Sequence, residues 1–348
     1  MNTQDNALEL LDYLSRPGFS AENDRIVRVN PAARNLMLEP GMEVTALLAT
    51  GAEEYRQLHD QCLCLTLTLQ GREIPALVTR VGDSRLFLLE DDDRQLQSLA
   101  LAARELREPL TGVMLAAREL LSGLGDDPAV RTPAASLNRG LYQLLRIIGN
   151  MSDAARTGSR MELRSLCALA DEIFEKAGAL VETTGVRLIW QGLEEEIYGL
   201  TDPELLERAV FNLLSNALKF TPAGGTVTAS LTRRGRMLHL TVCDSGCGID
   251  DEIRGSLFSR YLRSPGIEDR RFGIGLGLVL VRSCAARHGG TVLIDQPGEG
   301  TRVTMTLAIR QDNVLRSPVL RVDYAGEQDH GLIELSDCLP AECYQPER

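Results

Sequence analysis

Residues 212–220 read Asn212-Leu-Leu-Ser-Asn216-Ala-Leu-Lys219-Phe220, and this segment carries the first indication of chemistry in the sequence. Asn212 and Asn216 are four residues apart, so both amides lie on one face of a helix, with Lys219 one turn further along. Two amide oxygens and one cation on a single face suit a hydrated Mg²⁺ and the phosphates that it carries. An exposed polar stripe accounts for the same spacing, so the segment alone leaves both interpretations open.

A carboxylate follows the apolar strand pattern of residues 238–243, in the segment Asp244-Ser-Gly246-Cys-Gly248. At the end of a strand, such a carboxylate can accept a hydrogen bond from an adenine amino group. The two glycines would let the backbone lie close to the base. A simple turn is the alternative interpretation, because Asp and Gly together are common in turns.

Three alternating glycines open a helical pattern at Gly273-Ile-Gly275-Leu-Gly277-Leu278. Glycines there leave backbone N–H groups free at a helix N-terminus, where an anion binds readily. The spacing is not G-x-G-x-x-G after a strand, so no Rossmann site is predicted. Just upstream, Arg270 and Arg271 are interpreted either as ligands of a terminal phosphate or as a solvated surface pair.

Apolar residues repeat at alternating spacings of three and four between residues 94 and 156, which predicts two helices with coiled-coil seams. A break with two prolines separates the helices at residues 122–133. One such hairpin buries little apolar surface, whereas two copies form a four-helix core. We therefore expect a homodimer through residues 94–156, with packing onto the chain's own domains as the alternative. The seam residues are Leu96, Leu99, Ala103, Leu106, Leu110, Val113, Ala117 and Leu120, then Leu137, Leu141, Leu144, Ile148, Met151 and Ala155.

Composition limits the class of protein. The chain has 348 residues, which at about 150 residues per domain predicts two or three domains. Its 44% apolar and 25% charged residues are typical of a folded protein, and its net charge of −12 argues against nucleic-acid binding by counterion release. The eight cysteines lack paired C-x₂-C spacing and are expected to be thiols. With no export signal and no bilayer-length apolar stretch, the sequence predicts a cytoplasmic protein without a membrane span.

Taken in order, these segments resemble the catalytic ATP-binding domain of sensor histidine kinases, within the wider superfamily of gyrase, Hsp90, histidine kinase and MutL ATPases. The resemblance covers residues 163–309. It rests on the N box, the first glycine box, the F box, the second glycine box, the His-Gly-Gly of residues 288–290 and a last glycine pair. In that order the box residues are Asn212, Asn216, Lys219 and Phe220; Asp244, Gly246 and Gly248; Phe258, Tyr261 and Arg263; Gly273, Gly275 and Gly277; and Gly298 and Gly300.

The resemblance implies an α/β sandwich that holds ATP and Mg²⁺ under a flexible lid near residues 262–272. By the same resemblance, Asp244 takes the adenine, Asn212 and Asn216 serve the metal, and Lys219 contacts phosphate. The remaining expected ATP-binding residues are Phe220, Gly246, Gly248, Arg263, Arg271, Gly273, Gly275, Gly277 and Leu278.

The phosphoacceptor histidine of this family is missing from the first hairpin helix. The family motif resembles His-Glu-Leu-Arg-Thr-Pro-Leu, where this chain has Arg104-Glu105-Leu-Arg-Glu108-Pro-Leu. Arg104 stands at the histidine position, and a guanidinium is not a nucleophile at neutral pH. Glu105, the usual general-base neighbour, remains, while Glu108 replaces the residue that positions hydrolytic water. The hairpin contains no histidine, so autophosphorylation at the standard site is not expected.

The predicted fold class is α+β in four parts. Residues 1–90 resemble a PAS sensor module through the strand-to-helix segment Ile26-Val-Arg-Val-Asn30-Pro-Ala-Ala33. Residues 91–160 form the dimerising hairpin, a degenerate phosphoacceptor domain, and residues 163–310 form the ATP-binding domain. Residues 311–348 are a tail to which the sequence assigns no role.

Three hypotheses of function remain open from the sequence. The first is a histidine-kinase-like signalling protein that binds ATP and Mg²⁺ without phosphorylating itself at the usual place. The second is an active kinase that phosphorylates a partner or a non-standard residue, and the third is a dimerising module with a relict nucleotide site. In the first two, a response regulator or another signalling protein is the expected partner.

Overall fold

The computed structural model describes residues 11–14, 16–90, 93–122, 128–154, 160–248, 276–310 and 329–345. The helices are α1 (Pro31–Arg34), α2 (Ala52–Arg56), α3 (Asp93–Ser122), α4 (Pro128–Ala154), α5 (Leu166–Val181), α6 (Pro203–Phe220), α7 (Gly277–Arg287) and α8 (His330–Glu334). The strands are β1 (Gly18–Glu22), β2 (Arg25–Val29), β3 (Cys62–Leu69), β4 (Arg72–Val81), β5 (Ser84–Leu89), β6 (Glu162–Ser165), β7 (Arg187–Gln191), β8 (Tyr198–Thr201), β9 (Thr226–Arg234), β10 (Met237–Asp244), β11 (Val292–Asp295) and β12 (Arg302–Ala308). Across these ranges, no helix combines the length and the apolar composition that a bilayer crossing needs.

An antiparallel sheet in the order β2-β1-β5-β4-β3 forms the N-terminal part. The predicted step from strand to helix is confirmed, because β2 ends at Val29 and Asn30 caps α1. The Oδ1 atom of Asn30 accepts hydrogen bonds from the N–H groups of Ala33 at 2.9 Å and Gly18 at 3.1 Å. Its Nδ2 donates to the carbonyl of Arg16 at 2.6 Å. One buried amide therefore fixes the start of α1 against the beginning of β1.

The predicted helical hairpin consists of α3 and α4, which pack on each other. The break between them is shorter than predicted, because α4 begins at Pro128 and Pro133 lies inside the helix. Pro128 opens the helix, where the missing N–H of a proline would have no intrahelical partner, and Pro133 follows in the second turn. The predicted break, which extends to Pro133, therefore placed the helix start six residues too late.

Only half of the predicted seam on α3 is buried within one chain. Ala103 and Leu110 are buried and pack, with Ala117, against Leu141 and Ile148 of α4. The alternate seam residues stay exposed, with exposed fractions of 49% for Leu106, 54% for Val113, 70% for Leu120, 48% for Leu137 and 47% for Leu144. An apolar stripe of the hairpin thus has no cover among the described residues of a single chain.

The C-terminal part is a mixed sheet with helices packed on it. The predicted helix at residues 203–220 and the strand pair of β9 and β10 are confirmed, and β7 joins β9 in parallel. Helices α5, α6 and α7 share one core with this sheet. Strands β6 and β8 form a separate two-stranded sheet, which the sequence pattern did not indicate because each strand has only four residues.

The five-stranded sheet of the N-terminal part and the mixed sheet of the C-terminal part form one continuous sheet, because β3 pairs with β11. The antiparallel register joins Cys64 to Val292, Leu63 to Leu293 and Cys62 to Ile294, and the continuous sheet has ten strands. The alternation of leucines and polar residues predicted an ordinary strand at residues 63–69. In the structure Cys64 and Thr66 are buried as well, and Cys64 belongs to the core that α5, α6 and α7 share, so both faces of β3 are covered.

A C-terminal segment, residues 329–345, packs against the helices of both other parts. It contains α8 and a 3₁₀ turn at Ala341–Tyr344. Leu335 and Leu339 are fully buried and belong to the core shared by α5, α6 and α7. The segment is therefore an integral element of the fold and no loose appendage.

Candidate functional site

Helix α6 positions the predicted N box. Asp202 caps the helix, because its Oδ1 accepts a hydrogen bond from the N–H of Leu205 at 3.1 Å, and Pro203 follows at the first helical position. The cap fixes where α6 begins. Along the helix, Asn212, Asn216 and Lys219 then follow one another on a single face.

Asn212 is 1% exposed and both ends of its amide are engaged. Its Nδ2 donates to the carbonyl of Arg208 at 2.8 Å, and its Oδ1 accepts from Nη2 of Arg146 at 3.2 Å. Asn216, one turn later, is half-buried, and its side-chain amide makes no hydrogen bond to any residue that the structure describes. The oxygen of Asn212 therefore faces a cation from α4, whereas the amide of Asn216 is available.

Lys219 contacts the C-terminal segment. Its Nζ donates to Oδ2 of Asp337 at 2.7 Å, and the same oxygen accepts from Nη1 of Arg146 at 2.5 Å. Burial alone would raise the pKa of Asp337, but the charges of Arg146 and Lys219 outweigh it and hold that pKa below its ordinary value. The carboxylate therefore stays ionised, and it neutralises the predicted phosphate-contacting lysine.

Arg208 is the centre of the contact between three parts of the chain. Its side chain is 2% exposed, with Nε donating to Oε1 of Glu334 at 3.0 Å and Nη2 donating to Oδ1 of Asn150 at 3.1 Å. Nη1 forms an ion pair with the carboxylate of Asp153. One guanidinium on α6 thus binds the hairpin and the C-terminal segment together.

Asp244 ends β10 with one carboxylate oxygen fixed and one open. Its Oδ1 accepts hydrogen bonds from the N–H groups of Gly246 at 2.9 Å and Thr301 at 3.2 Å. Within the described ranges no donor reaches Oδ2. Burial raises the pKa of Asp244, and the two backbone donors partly offset that rise. The open oxygen is suited to accept an N–H from a ligand.

The glycines of the predicted boxes are required by close packing. A Cβ at Gly246 would collide with the carbonyl of Phe220, and one at Gly300 would collide with the carbonyl of Asp244. A Cβ at Gly277 would lie 2.8 Å from Oδ1 of Asn212. The structure therefore brings the N box together with both glycine boxes, as the residue pattern predicts.

The other predicted ATP-binding residues divide into described and undescribed positions. Gly248 has a φ of +74°, a conformation that glycine adopts readily, and Leu278 packs at the edge of the large core. The predicted lid at 262–272 lies outside the described residues, and so do Phe258, Tyr261, Arg263, Arg270, Arg271, Gly273 and Gly275.

Arg104 and Glu105 are exposed on α3. Within the described ranges, neither side chain makes a hydrogen bond or an ion pair with the residues around Asn212 and Asp244. The position that the sequence predicts for the phosphoacceptor is thus on the surface of the hairpin.

His288 of the His-Gly-Gly segment is a structural residue. Its Nδ1 donates to the carbonyl of Cys284 at 2.7 Å, which leaves Nε2 to accept from the N–H of Asp202 at 3.2 Å. Burial lowers the pKa of this imidazole, so it is neutral at neutral pH. It fastens the end of α7 to the start of α6.

Sequence analysis missed the ionic cluster around Arg208. Arg146, Asn150 and Asp153 lie at helical spacing on α4, which is the pattern of an ordinary solvated stripe beside a coiled-coil seam. Asn150 and Asp153 bind Arg208 of α6, whereas the partners of Arg146, which are Glu334 and Asp337, lie almost two hundred residues away along the chain. The stripe lies on a helix face next to the seam, which indicates that it could contact another part of the chain. The sequence does not show which residues it contacts.

Comparisons with known proteins match one segment of the chain to a family of ATPases. Residues 201–311 match the family model of histidine kinase-, DNA gyrase B- and HSP90-like ATPases. The adaptive-response sensory kinase SasA of Crocosphaera subtropica is 28% identical over 252 residues, which are 66% of this chain and 65% of that protein. The histidine protein kinase DivJ of Caulobacter vibrioides is 34% identical over 221 residues, which are 61% of this chain and 37% of that protein.

A solved structure shares the fold. Full-length ShkA, crystallised in complex with AMPPNP, matches with a TM-score of 0.50 and 24% identity, covering 62% of this chain and 46% of that one. The chain spans from 37% to 65% of the length of the two curated relatives named above.

Proposed function

We propose that this chain, which carries a histidine kinase-, DNA gyrase B- and HSP90-like ATPase domain and has sensor histidine kinases as relatives, binds ATP with Mg²⁺. We further propose that it signals through its hairpin without phosphorylating itself at position 104. The observation that carries the proposal is the packing of Gly246, two residues after Asp244, against the end of α6 and of Gly277 against Asn212 of the same helix.

The adenine end of the site is supported by Asp244. Two backbone N–H groups fix Oδ1, so the orientation of the carboxylate is set before a ligand arrives. The open Oδ2 then accepts a hydrogen bond from the exocyclic amino group of adenine. Gly246 lets the chain after Asp244 lie against the end of α6, so the base and the N box are close.

The phosphate end is supported by the polar face of α6. Asn216 offers an amide oxygen for Mg²⁺, and Lys219 offers an ammonium for a phosphate. Asn212 fits the metal once its oxygen is released from Arg146, because the two cations compete for the same lone pairs. The metal, when bound, neutralises phosphate charge, and the chain's own residues hold and orient the nucleotide.

The absence of self-phosphorylation at the standard site is supported by Arg104. A guanidinium has no free lone pair for attack on a phosphorus atom at neutral pH. The side chain is exposed and projects from α3 as an acceptor would, so the chemistry is lost through the residue type and the geometry is retained.

Calorimetric titration of the full chain with ATP and Mg²⁺ tests the binding proposal. We expect saturable binding to the wild type and a loss of at least about tenfold in affinity for Asp244→Ala, since about 1.4 kcal/mol corresponds to a factor of ten. Asp295→Ala is the matched control, because Asp295 also ends a strand of this sheet and pairs with Arg302 outside the predicted boxes. Equal affinity of Asp244→Ala and wild type would remove the basis of the proposal.

A homodimer through the hairpin is the proposed architecture. The exposed apolar stripe of Leu106, Val113, Leu120, Leu137 and Leu144 is what a second copy of the hairpin would cover. Val113→Asp is expected to convert the dimer to a monomer in sedimentation analysis. Thr111→Asp, on the opposite face of α3, should leave the dimer intact. A response regulator or another signalling protein is the proposed partner.

A second candidate is an active kinase whose acceptor lies on a partner or elsewhere on the chain. It is favoured by the retained set of Asn216, Lys219 and Asp244, since phosphoryl transfer depends mainly on positioning and charge stabilisation. Transfer of label from γ-labelled ATP to a co-incubated partner, abolished by Asn216→Ala, would establish this function.

A further inference from the structure

Asp337 contacts the predicted phosphate end of the site from within the chain. Its Oδ2 lies 2.7 Å from Nζ of Lys219 and 2.5 Å from Nη1 of Arg146. A carboxylate oxygen between an ammonium and a guanidinium is the same arrangement that an oxygen of a nucleotide phosphate seeks. We propose that Asp337 is a built-in competitor of the nucleotide, which occupies Lys219 in the place of a phosphate. This inference rests on the proposed function.

Arg146 extends the competition to the metal end. Its Nη2 donates to Oδ1 of Asn212 while its Nη1 holds Asp337. Arg146 and Asp337 together thus present a cation to the amide oxygen and an anion to the lysine. This internal pair matches the charges of a metal and a phosphate.

Side chains of α4 hold the backbone of the C-terminal segment around Asp337. Nε of Arg139 donates to the carbonyl of Ser336 at 3.1 Å, and its Nη2 donates to the carbonyl of Asp337 at 3.2 Å. Gln143 donates to the carbonyl of Ser336 at 3.2 Å. These bonds keep the backbone in position whether or not the carboxylate is bound.

Two buried leucines anchor the C-terminal segment, while the carboxylate of Asp337 between them is partly exposed. Leu335 and Leu339 are fully buried on either side of Asp337. The side chain of Asp337 is 28% exposed, whereas that of Lys219 is 9% exposed. The carboxylate can therefore leave Lys219 by rotating toward solvent, and the segment need not detach.

Competition of this kind lowers the apparent affinity for nucleotide by the fraction of molecules in which Asp337 covers Lys219. It acts on the phosphate groups and leaves the adenine end at Asp244 untouched. Ligands that carry phosphate therefore bind only by displacing an internal anion, and their apparent affinity falls by a constant factor.

Titration of the full-chain variant Asp337→Asn with ATP and Mg²⁺, and separately with adenosine, tests the proposal. We expect ATP to bind about tenfold more tightly than to wild type and adenosine to bind with unchanged affinity. Glu342→Gln is the matched control, because it removes the same charge from an exposed position of the same segment. That variant should bind ATP as wild type does.

The amide oxygen of Asp337→Asn can still accept a hydrogen bond from the ammonium of Lys219. Asp337→Ser therefore repeats the test with a shorter side chain that does not reach Lys219. ATP affinity unchanged in both variants, or raised equally for ATP and adenosine, overturns the competition. If neither the wild type nor the variants bind ATP, the proposed function fails and the competition fails with it. Binding of ATP to the variants alone supports both.

Discussion

Gly149 of α4 lies directly against the guanidinium of Arg208, so that a Cβ built on it would be 2.5 Å from Nη2. Arg208 is fully buried and held by Glu334, Asp153 and Asn150, and it cannot move aside as an exposed arginine would. The absence of one side chain on the hairpin is thus a condition for the ionic cluster that joins the hairpin, α6 and the C-terminal segment.

Gly149→Ala is expected to lower the free energy of unfolding by about 1–3 kcal/mol, the usual cost of forcing an extra carbon into a packed site. Gly178→Ala is the control, since a Cβ on Gly178 of α5 meets nothing within 4 Å. There the substitution should stabilise by about 0.5–1 kcal/mol through helix propensity. Urea denaturation of the two variants measures both effects, and equal effects would contradict the packing of Arg208 against α4.

Arg208→Met is expected to destabilise the protein by about 3–5 kcal/mol, because it leaves the buried carboxylate of Asp153 without its cation and leaves Glu334 with Arg146 at 3.6 Å. Arg233→Met removes an ion pair with Glu195 in which both side chains are about half exposed, and it should cost less than about 1 kcal/mol after solvent screening. Chemical denaturation distinguishes the two. A small effect at Arg208 would mean that the cluster is solvated.

Arg104→His is expected to gain an acid-labile label from γ-labelled ATP, while the hairpin of the wild type stays unlabelled. The reason is that an imidazole at this exposed position restores the nucleophile beside Glu105. Thr111→His places an imidazole at an exposed position of the same helix that is followed by Gly112 instead of a glutamate, and it should remain unlabelled. Label on the wild-type hairpin would show that the chain uses another acceptor there.

His288 is expected to make stability depend on pH below its ordinary pKa of 6.5. The folded imidazole has a lowered pKa, so below that pH the unfolded chain binds the proton more readily and the free energy of unfolding falls as pH falls. The slope from this one group cannot exceed about 1.4 kcal/mol per pH unit. His288→Gln should flatten the profile, and the exposed His59→Gln should not. Identical profiles for wild type and His288→Gln would rule out a neutral buried histidine.

Local patterns predicted the individual elements well because their signals are local. Asp202 and Pro203 set the start of α6 to the residue, and the period of the seam indicated α3 and α4. The glycines near Asp244 and Asn212 indicated a crowded site, and the structure shows the atoms that would collide. Such features depend on neighbours within a few residues.

The contacts that tie these elements together could not be predicted from the sequence. The pairing of Arg208 with Glu334 spans 126 residues, and a charged residue on a helix is typical of a solvated face until its partner is known. The joining of β3 to β11 depends on the meeting of two strand edges, for which the alternation of side chains carries no signal. The role of the C-terminal segment was missed for the same reason.

The pairing of β3 with β11 also restricts how the N-terminal part can move against the C-terminal part. A slip of one residue along this joint would turn every side chain of the strand to the opposite face, so the ladder tolerates displacement only in steps of two residues, about 6.6 Å. Small strains within the N-terminal part are therefore transmitted stiffly across the three pairs that hold Cys62, Leu63 and Cys64. A larger displacement must break these pairs, whereas a flexible linker would allow a continuous range of positions.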